Sequence, residues 1–348
     1  MTAPMTTFSA AQMLDRLLGG QHLDEASATA LLKLLGAGEV PPALAGALLI
    51  ALRHKGETAE EIRGFALGMR ELALRPKLPA GDYVDVVGTG GDGSSSLNLS
   101  TGSALLAAAA GARVVKHGNR SISSRSGSAD VLAALGLPVP LDEAAAARAL
   151  ERLGFTFLFA PHYHPAMKHI APVRAALGVR TVFNILGPLA NPAAPPYHVI
   201  GAFSEGIAAL MAETLSGMPL ERAFVVHGEA GWDEATQAGP FLLYDVRPGR
   251  VERTVRDARD LGLPRCTLDE LRGADAASNA IRLRDALSGA DTQAHRDALT
   301  LGAALALEVT GAAPDARRGI ARAREALAAG EGRRLLDELA AFGREQRA

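Results

Sequence analysis

Residues 84–136 read VDVVGTGGDGSSSLNLSTGSALLAAAAGARVVKHGNRSISSRSGSADVLAALG. Two short apolar runs each pass into a loop of glycines, small hydroxyl residues and charges, and each loop opens an alanine-rich helix. Loops of this kind offer clustered backbone N–H groups, hydroxyls and two helix N-termini. Those are the components of a site for a phosphate-bearing ligand.

Two familiar labels fit the first loop badly. Gly88-Thr89-Gly90-Gly91-Asp92-Gly93 spells G-x-G-x-x-G after an apolar run, the pattern of dinucleotide binding. The next helix is predicted to start near Ser100, too late for the third glycine to lie in its first turn. The next apolar run ends in Lys116, where an acidic residue would hold a ribose hydroxyl. A P-loop needs a lysine after its last glycine, and Ser94 and Ser95 stand there. The bland alternative is a glycine-rich strand-to-helix connection. Against it, Asn98-Leu99-Ser100-Thr101 gathers cap-forming side chains at the opening of a helix. One helix later, the loop from Lys116 to Ser128 adds Lys116, Arg120, Arg125 and several hydroxyls. Fixed cations among small residues allow close backbone approach to a multiply charged anion.

The elements that must position these loops follow from periodicity. Residues 1 to about 75 are predicted as four helices. Ser9 caps the first, with Met13, Leu14, Leu17 and Leu18 on one face; Asp24 caps the second, Pro41 and Pro42 open the third, and Thr58 with Glu61 forms a capping box for the fourth. PKLPAG at 76–81 reads as a linker. Thereafter the β-branched and aromatic runs YVDVV, ARVVK, FTFLF, HVIGAF and AFVVH alternate with helices near 100–111, 128–135, 142–153, 164–177 and 205–217. That alternation predicts an α/β domain with a largely parallel sheet covered by helices. PFLLYDV and VERTV add a hairpin turning at Pro248-Gly249, and the C-terminal third returns to helices.

Composition narrows the function classes. The 348 residues carry 36 basic and 38 acidic side chains, a net charge of -2, with only 4% aromatics. This balance gives no reason to expect nucleic acid or an acidic membrane as partner. A single cysteine, Cys266, rules out an internal disulfide framework and suits a reducing compartment. The N-terminus lacks a secretory pattern, and no apolar run approaches the ~18 residues of a membrane span, so the expected location is cytoplasmic.

The strings GTGGD, NLST, KHGNR and SGSAD closely resemble the anthranilate phosphoribosyltransferases of tryptophan biosynthesis, in the nucleoside phosphorylase/phosphoribosyltransferase superfamily. HPAMKHIAPVRAALGVRTVFNILGPLANP at 164–192 and DEATQAGP at 233–240 continue the resemblance over nearly the whole chain. It implies a small all-helical domain, 1–78 joined by helices from about 164–192. This would be hinged to a larger nucleoside phosphorylase-like α/β domain, 79–163 and 193–348, with a mostly parallel central sheet flanked by helices. A homodimer is also implied. The reaction would displace diphosphate from 5-phosphoribosyl 1-diphosphate (PRPP) by the amine of anthranilate, with Mg2+.

Carried over by position, the resemblance implicates Gly88, Gly91, Asp92, Ser96, Asn98, Leu99, Ser100 and Thr101 in PRPP binding. From the second loop it implicates Lys116, His117, Gly118, Asn119, Arg120, Ser121, Ile122, Ser123, Ser124 and Ser128. Gly88, Asn119 and Arg174 would contact anthranilate, and Ser100, Asp233 and Glu234 would hold Mg2+. His117, Asn119 and Arg174 are the candidates for the reacting centre. His117 would act as proton acceptor or as a packing contact.

Without the resemblance, Asp233-Glu234 reads as a solvated acidic turn and Arg174 as a surface arginine. His162, His164 and His169 match no zinc spacing and are expected to line the approach of the aromatic co-substrate. Relatives commonly have leucine where Trp232 stands and an aliphatic–serine pair from Ala235, and Arg125 replaces a frequent lysine. Three alternatives remain: a pyrimidine nucleoside phosphorylase, disfavoured by the missing lysine in SSSLNLST; a non-catalytic nucleic-acid-binding relative; and a phosphoribosyltransferase for another aromatic acceptor.

Overall fold

The computed structural model describes residues 9–120 and 126–346. Ser121, Ile122, Ser123, Ser124 and Arg125 of the second loop therefore lie outside the described residues. In chain order the elements begin with α1 (Ala10–Leu18), α2 (Glu25–Ala37), α3 (Pro42–Lys55) and α4 (Ala59–Glu71). Next come β1 (Val84–Gly88), α5 (Leu99–Ala109), β2 (Val114–Gly118), α6 (Ser128–Leu135), α7 (Glu143–Leu153) and β3 (Phe155–Phe159). Then follow α8 (Ala160–Tyr163), α9 (Met167–Leu177), α10 (Phe183–Leu186), β4 (Tyr197–Gly201), α11 (Glu205–Ser216) and β5 (Arg222–Gly228). The chain closes with β6 (Phe241–Arg247), β7 (Arg250–Arg256), α12 (Ala276–Leu287), α13 (Gln293–Val309), α14 (Ala316–Ala328) and α15 (Glu331–Glu345).

Two compact units result, residues 1–74 with 163–192, and residues 75–162 with 193–348. In the first, the caps read from sequence are made: Ser9 accepts from the Gln12 N–H at 3.3 Å, and Asp24 from that of Ser27 at 2.8 Å. Glu61 does more than close its capping box. Its buried carboxylate accepts from the N–H groups of Leu23 and Thr58 and from Lys55 Nζ, each at 2.9 Å, joining the start of α2, the end of α3 and the start of α4. Leu18 does not belong to the apolar face of α1. It is 69% exposed, while Met13 and Leu17 are buried.

The second unit is built on a sheet in the order β3-β2-β1-β4-β5-β6-β7. Pairing is parallel from β3 through β5 and antiparallel for β6 and β7, whose hairpin turns at Pro248-Gly249 between Arg247 and Arg250. α5 packs on β1 and β2, α7 on β3, α11 on β5 and β6, and α13 on both α5 and β4. Nearly every side chain of α5 is buried, which explains its alanine richness: small residues let it sit between the sheet and α13. The C-terminal helices α12 and α15 each bury one face at helical spacing, Ala280, Leu283 and Leu287 on the first and Leu335, Leu339 and Phe342 on the second.

The chain runs outward from β1 through β2 to β3 and then returns to the other side of β1 as β4. Between β1 and β4 the strand order reverses. Such a reversal opens a crevice outside the carboxyl ends of the strands, where ligands of open α/β sheets bind. Among the described residues no helix is long and apolar enough to cross a membrane.

Candidate active site

The first glycine loop leaves β1 at this crevice. Thr89 fastens it to β4 and the segment beyond, its N–H donating to the Gly201 carbonyl at 2.9 Å and its hydroxyl accepting from the Phe203 N–H at 3.2 Å. Asp92 folds the loop on itself by accepting the Ser94 N–H at 3.1 Å and the Ser94 hydroxyl at 2.9 Å. The helix expected at Ser100 begins at Leu99, and Asn98 does not cap it through its side chain. The capping expectation fails because that amide is engaged elsewhere, with Ser126 and Asn279. Thr101 is buried in the first turn.

The acidic pair arrives from the loop after β5. Asp233 is buried, and one of its carboxylate oxygens accepts the Gly90 N–H at 2.6 Å. Its own N–H donates to Asp92 at 3.3 Å, while Glu234 accepts the Ser100 N–H at 3.1 Å at the N-terminus of α5. Asp233 and Glu234 thus sit against the glycine loop, which corrects the reading of a solvated turn. Burial and the neighbouring charge of Asp92 push the Asp233 carboxyl up to about 7. Burial and Asp233 likewise raise Glu234 well above the usual range, with Lys116 opposing them. Trp232 and Ala235, the departures from the family pattern, are both buried, and the Trp232 carbonyl accepts the Gly228 N–H at 2.9 Å.

Mutually repelling, water-poor carboxylates beside a hydroxyl residue, Ser100, form a hard-oxygen donor set suited to Mg2+. Among the described residues no three His, Cys, Asp or Glu side chains converge to enclose a metal by themselves. That also suits Mg2+, which keeps waters and substrate phosphate oxygens in its shell.

The glycines of the two strands are required by this approach. A Cβ at Gly88 would lie 2.4 Å from the Asp233 carboxylate, and one at Gly201 would lie 1.6 Å from the Asp233 carbonyl oxygen. Gly201→Ala is therefore expected to push the acidic loop outward at a cost of about 2 kcal/mol or more. A thermal unfolding midpoint equal to that of the wild type would contradict this.

Raised carboxyls also fix a pH dependence. Between about pH 4 and pH 7 the unfolded chain has released the Asp233 proton while the folded protein still holds it, so Asp233 makes the stability of the metal-free protein decline with rising pH across that window. Asp233→Asn should flatten the decline. Urea midpoints collected in chelator at pH 5 and pH 7 test this, and equal declines for variant and wild type would refute it.

The second loop leaves β2, and its cations are already engaged. Lys116 is fully buried, with Nζ donating to the Val86 carbonyl at 2.5 Å and to Ser100 Oγ at 3.4 Å. Burial lowers its ammonium, while Asp85, Glu234 and Asp233 hold it up. Arg120 pairs with Asp130 at 3.0 Å and lies 5.9 Å from the Phe159 ring centroid. Lys116 thus lies within the field of the acidic pair, and Arg120 braces the base of its loop through Asp130. The Asn119 carbonyl accepts from Ser128 Oγ and the Ala129 N–H, each at 3.2 Å, and so closes the base of the loop. Asn119 itself is exposed, whereas His117 is buried in β2 with its main-chain N–H on Asp85 at 3.2 Å. Burial favours the packing role for His117. Asp85 escaped the sequence reading, although a lone acid in the apolar run VDVV was a visible signal.

In the other unit, Arg174 lies on the last turn of α9, half-buried, its guanidinium 5.3 Å from the Phe183 ring centroid. Among the described residues no carboxylate shifts its titration; burial alone lowers it. His164 is buried between the main chains of Met69 and Ala190, and burial lowers its imidazole to about 4. It is a neutral core residue and not a lining of the co-substrate's approach. His169 and Lys168 are exposed.

Both units match the glycosyl transferase class. The model of the glycosyl transferase family a/b domain matches residues 80–333, and that of its helical bundle domain matches residues 11–73. An anthranilate phosphoribosyltransferase of Rubrobacter xylanophilus is 46% identical over 319 residues, 92% of this chain and 93% of the relative. The crystal structure of the Thermus thermophilus enzyme of that name, 43% identical, superimposes with a TM-score of 0.89 over 95% of this chain and 99% of its own. A Saccharomyces cerevisiae anthranilate phosphoribosyltransferase in complex with PRPP and Mg, 24% identical, shares the fold with a TM-score of 0.87 over 97% and 98% of the two chains. The chain belongs to the anthranilate phosphoribosyltransferase family.

Proposed function

We propose that this protein transfers the phosphoribosyl group of PRPP to the amine of anthranilate, giving N-(5-phosphoribosyl)anthranilate and diphosphate. The observation that carries the reading is the lodging of Asp233 and Glu234 against Gly90 and Ser100. It brings two carboxylates, a hard-oxygen set for Mg2+, against the glycine loop assigned to PRPP. Relatives named for this activity, at 46% identity over most of the chain, support it.

In the reaction the C1–O bond to diphosphate breaks with its electron pair going to oxygen, the amine nitrogen bonds to C1, and the nitrogen's proton leaves to water or diphosphate. Charge development at the leaving group calls for positioning and neutralisation more than for a nucleophilic side chain. Bound Mg2+ would neutralise the diphosphate, held by Asp233, Glu234 and Ser100. The first loop, Gly88 to Thr101, receives the diphosphate, and Lys116 balances the carboxylates beside it. The second loop, through Asn119, meets the acceptor. Arg174 receives the acceptor's carboxylate through its planar fork.

Acceptor specificity tests this reading. Diphosphate release, coupled to a pyrophosphatase, should occur with anthranilate, fall strongly with aniline, which lacks the carboxylate, and vanish with benzoate, which lacks the amine. Equal release with aniline would favour a different acceptor class. We also place the protein in the cytoplasm as a homodimer. Leu18 and Ile50, exposed on α1 and α3, are side chains such an interface would cover, and a monomer mass by light scattering would reject it.

A further inference from the structure

Asn279, on α12, was not among the residues drawn from sequence. It is 1% exposed, and both ends of its amide are used. Nδ2 donates to Asn98 Oδ1 at 2.9 Å, and Oδ1 accepts the Ala274 N–H at 2.6 Å. The same Asn98 oxygen accepts from Ser126 Oγ at 3.0 Å, and Asn98 Nδ2 donates to the Ser126 carbonyl at 3.1 Å. One buried amide therefore reaches the first loop directly and the foot of the second loop through Asn98.

The segment before α12 is fastened to the first loop as well. The Leu97 N–H donates to the Leu271 carbonyl at 3.0 Å, the Gly273 N–H donates to that of Ser95 at 2.9 Å, and Ser96 pairs with Arg272 as an antiparallel bridge. A Cβ at Gly273 would lie 2.7 Å from the Ser96 carbonyl oxygen and 2.9 Å from the Asn279 amide, so the approach requires glycine. Ser95 is held at φ 51°, a left-handed conformation that a serine adopts at a cost and that this bridge maintains.

We propose that Asn279 is a positioning residue: acting through Asn98, it holds the first loop, with Ser126 beside it, in the geometry that receives the diphosphate. The inference rests on PRPP being the ligand of these loops. A buried amide that served only the packing of α12 would have no reason to reach the two loops through a shared oxygen.

Asn279→Asp keeps the size and the acceptor for Ala274 but sets an acceptor against Asn98 Oδ1. Loss of one such buried hydrogen bond corresponds to roughly tenfold in affinity. Titration of the full chain with inorganic diphosphate and Mg2+ should show the dissociation constant raised roughly tenfold. The KM for PRPP should rise in parallel. In an Asn98→Ala background the same substitution should add less than about twofold, because its route is already cut. Asn279→Ala, which deletes the donor without adding an acceptor, must follow the same pattern, and it serves if the aspartate variant fails to fold. Unchanged diphosphate affinity in the folded variant would overturn the proposal. So would an undiminished effect in the Asn98→Ala background. Diphosphate binding is read without any acceptor, so a failure of anthranilate turnover would sink the assigned reaction and leave this test intact.

Discussion

Asp233→Asn combined with Glu234→Gln should lower kcat/KM for PRPP by at least roughly a hundredfold and abolish the response to added Mg2+. The substitutions keep the shapes of both side chains and leave oxygens to accept the Gly90 and Ser100 N–H groups, so the loop should stay in place. What they remove is charge. Losing an electrostatic clamp on a developing anion costs about 2.7–4 kcal/mol, a factor of roughly 10²–10³. The substitutions also relieve the crowding that pushes Asp233 up to about 7, so the variant should unfold no more easily than the metal-free wild type at neutral pH. Lys116 then loses counter-charge, but Asp85 remains to hold it. Mg2+ titration of initial rates decides: an Mg2+ response like that of the wild type would remove the pair from the metal site.

Arg174→Ala should raise the KM for anthranilate about a hundredfold and leave that for PRPP within roughly twofold. Truncating one partner of a hydrogen-bonded charge pair costs about 2–5 kcal/mol. The guanidinium is half-buried with no carboxylate shifting its titration among the described residues, so the substitution breaks no ion pair, and folding should be little affected. Arg174→Lys should recover only part of the loss, because an ammonium cannot offer the bidentate fork. Steady-state kinetics with each substrate varied in turn would show it. An unchanged anthranilate KM would remove Arg174 from the acceptor site.

Much of both units could be read in the sequence, because the strands are short apolar runs and the helix caps are local. Asp24 and Thr58 each satisfy an N–H three residues on, so their signals need no tertiary knowledge. The loops' glycines and small hydroxyls are likewise local signals, present in the composition alone. What the sequence withheld is long-range. Nothing local says that Asp233 meets Gly90 or that Glu234 meets Ser100, and in isolation the pair reads as solvated; only the family resemblance pointed to it. Asn98 looks like a helix cap, yet its amide is claimed by Ser126 and by Asn279, 181 residues on. His164 reads as a pocket lining, and burial between main-chain groups makes it a core residue. Lys116 and Arg120 read as fixed cations of the loop, and the acids beside them, Asp85 and Asp130, are supplied by tertiary structure.

The central claim is that these two loops and the acidic pair serve phosphoribosyl transfer to anthranilate. Anthranilate is fluorescent, and its emission can be followed with purified full-length protein, PRPP and Mg2+. A steady loss of emission is predicted that stops when either PRPP or Mg2+ is withheld. Constant emission from well-folded protein with all three components present would contradict it.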